Sequence, residues 1–235
     1  DIVNGNWRFN GDVIRIDENG VLIDGQHRLT AVAKSGMPCE FLVVKGIKSS
    51  AKHTIDTGKA RTGGDALSIQ AGVEFSDSHV INGAITAYSK YKKSGYGESS
   101  GGLRLTNTLV VEKYKEKRDL VDSSLKMMKD SVSMKGLLLS KVDMLFLFMA
   151  FSEIDEVDAK SYLSRITGAG IEPDSTEMHI RNIMIECKMG ARKTNKKVVM
   201  NSIIKCWNSI RRGSRIQHKN NCQWRPTSEK NPIAI

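Results

Sequence analysis

Residues 13–34 confine the first part of this chain to a narrow set of folds. Val13–Ile16 (VIRI) and Val21–Ile23 (VLI) are short aliphatic runs separated by Asp17-Glu18-Asn19-Gly20. Asn-Gly adopts the left-handed backbone of a tight turn at little cost, so the spacing predicts an antiparallel hairpin. Asp24-Gly25 follows, and Gln26–Lys34 (QHRLTAVAK) changes period, with Leu29, Val32 and Ala33 on one helical face. Ser35-Gly36 ends that helix. Cys39–Val44 (CEFLVV) then reads as a short buried strand. A hairpin, a helix and a third strand in so short a span suit a compact mixed α/β unit.

After Gly72 the pattern becomes helical. Residues 49–72 mix short helical turns with a polar loop, and Ser76–Lys92 carries Val80, Ile81, Ala84, Ile85 and Tyr88 on one face. Ser94–Gly102 (SGYGESSGG) has the composition of a flexible loop. Helical spacing resumes over about Thr108–Lys117, Arg118–Ser131, Ser140–Ser152, Val157–Ile166, Ser175–Met189 and Lys196–Arg212. No internal repeat is present. The expected fold class is α+β: a small mixed α/β domain over 1–72, followed by an all-α domain over 73–235 ending in a basic helix. Gly213–Ile235 is expected to be a basic tail anchored by Trp224.

With 235 residues, 40% of them hydrophobic and 26% charged, the chain can bury a core without covalent staples. Cys39, Cys187, Cys206 and Cys222 form no close-spaced pair and read as free thiols in a reducing, cytoplasmic compartment. Cys206, His218 and Cys222 lack the second close pair a zinc site needs. Val142–Phe151 (VDMLFLFMAF) is about half the length of a membrane span and contains Asp143, so it reads as a buried core helix. The first residues show no signal-peptide pattern. The chain begins with Asp1, and further residues are expected upstream. Met127, Met128, Met144, Met149, Met184 and Met200 sit at helical spacing and read as core filler.

The charge is uneven. The net charge is +10, yet Arg181–Ile235 alone holds 13 Lys and Arg against Glu186 and Glu229, a sum of +11. A segment this basic suggests a polyanion, most simply nucleic acid, held through its phosphates. The candidates are Arg192, Lys193, Lys196, Lys197, Lys205, Arg211, Arg212 and Arg215. The expected last helix is amphipathic, with Val198, Val199, Ile203, Cys206, Trp207 and Ile210 opposite the cations. A membrane surface is the rival partner, but the pattern assigns Trp207 to the core, and no membrane contact is expected. The plain alternative is a solvated cationic face.

Asp24-Gly25-Gln26-His27-Arg28 carries the chemistry. A strand ends, a glycine turns, and a helix begins. The first helical N–H groups have no internal acceptor and sit at the positive end of the dipole. Gly25 clears the approach, Gln26 stands at the turn, His27 and Arg28 add donors, and Asp24 can cap the helix. Together they suit a phosphate. The competing explanation is a capped helix with His27 and Arg28 merely solvated. A second loop, Asp56-Thr57-Gly58-Lys59-Ala60-Arg61, could close on phosphates through Thr57, Lys59 and Arg61, with Asp56 holding Mg²⁺. It is no P-loop, because Ala60 replaces the Ser or Thr and His53 the first Gly. A Thr/Asp-capped turn explains it equally well.

The string Asp17–Ala31 (DENGVLIDGQHRLTA) closely resembles the hairpin–turn–helix signature of the ParB/sulfiredoxin superfamily, above all its DGQHR-type phage and prophage members. Trp7, Asn10-Gly11-Asp12 and Ile55–Arg61 extend the resemblance over about 7–72, and the ending from Trp224-Arg225-Pro226 to Pro232 is similar too. The resemblance implies a ParB/sulfiredoxin-like fold. It implies a nucleoside di- or triphosphate, with Mg²⁺ as companion, placed around Gly25, His27 and Arg28. Sulfiredoxins carry their catalytic cysteine where this chain has Gln26, which excludes that activity. Partition proteins carry a GERR form of the motif and an Asn/Gln/Arg-rich box absent here. The expected function is a phage-type protein binding a nucleoside phosphate and nucleic acid, most simply DNA, as an NTP-dependent switch or NTPase. The alternatives are a metal-dependent nuclease using Asp24, His27 and Asp56, a small-molecule or nucleotide kinase, and a non-catalytic protein acting on a host factor. Self-association into a homo-oligomer is also open.

Overall fold

The computed structural model describes residues 1–55, 61–98, 105–131, 138–168 and 171–235. The chain divides into two compact units, Asp1–Arg61 and Thr62–Ile235. The fold is α+β, with one small sheet and a majority of helix.

In the N-terminal unit, β1 (Val13–Asp17) and β2 (Leu22–Asp24) form the expected hairpin. α1 (Gln26–Ser35) leads to β3 (Leu42–Ile47), which pairs parallel to β1, giving the order β2-β1-β3. A 3-10 helix over Ser49–Thr54 follows. The hairpin turn is organised by one carboxylate. Asp17 accepts the N–H of Asn19 at 2.9 Å and of Val21 at 2.8 Å, and the Ser49 hydroxyl at 2.8 Å. Gly20 takes the left-handed φ of 81° that the turn requires.

Two expectations fail here. The predicted buried strand Cys39–Val44 begins only at Leu42, and Leu42, Val43 and Val44 are exposed. The predicted apolar face of α1 also stays open, since no residue of that helix is buried. The cause is architectural. β3 is an edge strand, and one ten-residue helix is too little second layer to cover a three-stranded sheet.

The helical unit comprises α2 (Gly63–Ala71), α3 (Phe75–Ser94), α4 (Asn107–Glu116), α5 (Arg118–Ser131), α6 (Lys141–Ser152), α7 (Glu156–Thr167), α8 (Thr176–Lys188), α9 (Lys196–Arg211) and the short α10 (Lys219–Cys222). The helix starts carry the signals of the sequence. Thr62 with Asp65 and Ser140 with Asp143 form capping boxes, and Thr106, Asp155, Ser175 and Asn195 cap α4, α7, α8 and α9. α2 belongs with this unit, so the division falls after Arg61 rather than after residue 72. Gly63 and Gly64 let α2 lie directly on α3. A Cβ on them would meet Asn82 Oδ1 at 2.4 Å and His79 Nδ1 at 2.5 Å.

α6 runs through the centre, with every side chain from Asp143 to Phe151 buried. Phe151 stacks on Trp207 at 4.4 Å between ring centroids and an interplanar angle of 3°, and Tyr162 meets both rings edge-on. Among the described residues no helix is long and apolar enough to cross a membrane. The chain after α3 is anchored where the composition suggested a loose loop: Tyr96 packs on Phe146, and Asn201 donates to the Tyr96 carbonyl. Residues 99–102 of that expected loop lie outside the described residues. The C-terminal stretch is likewise no free tail. Cys222 and Trp224 are buried. Asn208 and Trp207 donate to the carbonyls of Ile233 and Ile235, and the Ala234 N–H donates to the Tyr91 hydroxyl.

Candidate functional site

The first candidate is the start of α1. Gly25 is its N-cap residue, with φ 100°, and no side chain caps the helix. The Leu29 N–H is the first to find a helical acceptor, the Gly25 carbonyl. The amides of Gln26, His27 and Arg28 therefore have no capping acceptor, and the first turn contains no acid. Gln26 and His27 are exposed. Backbone N–H groups and the positive end of the dipole thus face outward together. Glycine is required at 25 for two reasons. The left-handed φ disfavours a side chain, and a Cβ would strike Ile14 Cδ1 at 2.4 Å. The space it clears is filled by Ile14.

Asp24 and Arg28 have other tasks than those expected of them. Asp24 does not cap α1. Its carboxylate lies between two guanidinium groups, Arg15 across the hairpin and Arg28 at 3.0 Å. Arg28 also donates to the Val13 carbonyl at 2.9 Å and pairs with Asp12 at 3.3 Å. These bonds tie α1 to β1 and to the chain before it. Arg28 is engaged within the unit rather than held out for a ligand. A carboxylate already neutralised by two cations is also a poor metal ligand, which removes Asp24 from the nuclease constellation. Asp56, Thr57 and Lys59 lie outside the described residues, and Arg61 closes the N-terminal unit. Among the described residues no group of three or more His, Cys, Asp or Glu side chains could hold a metal ion.

The second candidate is the basic C-terminal segment, and six of its thirteen cations are ion-paired within the protein. Lys196 reaches the buried carboxylate of Asp143 at 2.6 Å. Lys197 pairs with Glu98 at 2.7 Å, Lys205 with Glu229 at 2.7 Å, and Arg192 with Glu186 at 3.0 Å, where Lys219 joins at 2.6 Å. Arg211 bridges Asp155 and Asp158 and lies over the Trp207 ring. Arg215 donates to the carbonyls of Pro173 and Asp174. The Lys197 ammonium holds the Glu98 carboxyl below its ordinary value, and Lys219 with Arg192 does the same for Glu186. Among the eight expected residues, Lys193, Arg212 and Arg215 have no ion pair with the described residues, and Arg215 is held by the two carbonyls alone.

The expected apolar face of α9 is buried, and burial extends beyond it to Asn201, Ser202 and Asn208. Val198–Ile204 and Cys206–Asn208 are buried, because α8, α10 and the C-terminal stretch pack around it. Beside it lies a polar cleft of about 410 Å³, lined by Lys205, Ser209, Arg212, Asn221, Arg225 and Glu229. Arg225 was missed by sequence reasoning because it stands in what looked like a tail. Arg15 was missed too, although the hairpin register places it opposite Asp24, a cross-strand charge pair readable from the sequence.

No family model matches this chain, and neither a curated protein nor a solved structure matches it.

Proposed function

We propose that this is a phage-type, cytoplasmic ParB-like protein that takes the phosphates of a nucleoside di- or triphosphate at the start of α1 and also contacts nucleic acid. One observation carries the reading: the first turn of α1 is uncapped, free of acids and flanked by the exposed Gln26 and His27. Phosphate oxygens would accept from the amides of residues 26–28, with His27 as an additional donor. The role is binding. Arg28 and Asp24 support the turn, and Asp24, held between two guanidinium groups, is not free to act as a general base or a metal ligand. The nucleic-acid contact rests on Arg212 and Arg225, which line the cleft beside α9, and on Lys193, three cations with no ion pair among the described residues.

The test is a thermal-shift panel of nucleotides with the full chain, comparing the wild type with Gln26→Glu. An acid in the first turn suits the helix dipole but repels phosphate. The variant should therefore fold as well as the wild type and lose all nucleotide-dependent stabilisation, which arises by mass action from native-state binding. Equal stabilisation of both proteins overturns the assignment. For nucleic acid, each phosphate contact contributes about −0.9 to the slope of log affinity against log salt. Arg212→Gln should flatten that slope by about one unit, while an unchanged slope removes the cleft from the interface.

A further inference from the structure

A cavity of about 310 Å³ opens among α3, α4 and α6, within the helical unit and separate from both sites above. Its walls are apolar: Ile85, the Tyr88 ring and Met149. Its rim is cationic, with Lys92 and Lys93 from α3, Lys113 from α4 and Lys117 just after it. The four ammonium groups are not equivalent. Lys92 and Lys117 each bond Glu153 at 2.9 Å and lie 6.0 and 5.8 Å from the centre of the Tyr88 ring. They form a fixed strap over the tyrosine. Lys93 and Lys113 have no ion pair with the described residues, and the only other charge on the rim is Glu116.

We propose that this cavity binds a small organic anion with an apolar body and a single carboxylate or sulfonate head. The volume lies at the lower end of the range for small-molecule sites, and an apolar wall with a few charged groups at its mouth is their usual make-up. The body packs between Ile85, Tyr88 and Met149, where it leaves water. The head meets Lys93 and Lys113, whose charge is not consumed within the protein. Counting Glu116 and Glu153 against the four lysines, the mouth carries +2. This accommodates one anionic head and gives little to a triphosphate. Ser89, on the same stretch of α3, lines the cavity without filling it.

The probes are 8-anilinonaphthalene-1-sulfonate, which carries the anionic head, and N-phenyl-1-naphthylamine, which has a similar body and no charge. Both are titrated by fluorescence into the full-length folded chain. The wild type should bind the sulfonate at one site. The double variant Lys93→Gln/Lys113→Gln should bind it at least tenfold more weakly and bind the neutral probe within twofold of the wild type. Ser89→Phe, which fills the cavity from α3, should lose both probes while keeping the thermal midpoint. Sulfonate affinity that survives the loss of both lysines, or both probes still binding Ser89→Phe, overturns the proposal.

Discussion

The two units are held together by different forces. In the N-terminal unit Ile14 is the only buried hydrophobic side chain among the described residues. Its order comes from polar groups: Asp17 organising the hairpin turn, and Asp24 joining Arg15 and Arg28 across β1, β2 and α1. The helical unit is the reverse. Its core is apolar from α2 to Trp207, and its ion pairs fasten the outside of that core. Burial of apolar area supplies most folding free energy, whereas a partly exposed ion pair adds little. The small unit is therefore the softer one, and its charged residues are needed for shape before they can be offered to a ligand. The basic segment of the large unit teaches the same lesson. Its cations all look available in a local count of charge, and six of the thirteen are ion-paired in the fold.

The sharpest way to break this contrast is to cut the apolar core. Trp207→Ala removes the ring that stacks on Phe151 and meets Tyr162 edge-on, and should cost about 3–5 kcal/mol, measured by denaturant unfolding of the helical unit. A loss below about 1 kcal/mol would mean that the stack is not central to the core. The matching polar cut is Asp24→Asn, which leaves Arg15 and Arg28 without a counter-charge. It should cost about 2 kcal/mol. The loss should appear as faster amide hydrogen exchange in β1, β2 and α1, with the thermal midpoint of the helical unit unmoved. A variant that exchanges like the wild type would show the Asp24 cluster to be incidental.

The smallest effect concerns acid. Burial opposes the charge of Glu153, but Tyr88, Lys92 and Lys117 hold its carboxyl down to about 2 from an ordinary 4.5. A depressed carboxyl stabilises the fold above its unfolded value, and that contribution is lost as the pH falls from about 4.5 toward 2. Glu153→Gln should therefore lower stability slightly at neutral pH and flatten its acid limb. An unchanged acid limb would show that Glu153 is not strapped as described.

The helices were legible because helical spacing and capping residues are local signals. Ser140 with Asp143 marks the start of α6, and Asn195 marks that of α9. Asn19-Gly20 marked the hairpin for the same reason. Tertiary cover was not legible. CEFLVV has the composition of a buried strand, but composition does not say that β3 lies at an edge with too little structure above it. The partners of the cations were hidden by distance along the chain. Glu98 answers Lys197, and Asp155 and Asp158 answer Arg211, across spans no local count can join. At the candidate site the turn, Gly25 and the open first turn of α1 were readable. The engagement of Arg28 was not, because Asp12 and the Val13 carbonyl reach it only when α1 folds back along β1.

The central claim is that the first turn of α1 receives phosphate, and it is best tested on the amides themselves. ADP and ATP, each with and without Mg²⁺, are titrated into the isotope-labelled full chain while the backbone amide resonances are followed. The account predicts saturable shifts that are largest at Gln26, His27 and Arg28 and absent in Gln26→Glu. Nucleotide-induced shifts confined to Lys193, Arg212 and Arg225, or no shift at residues 26–28 at saturating nucleotide, would contradict it.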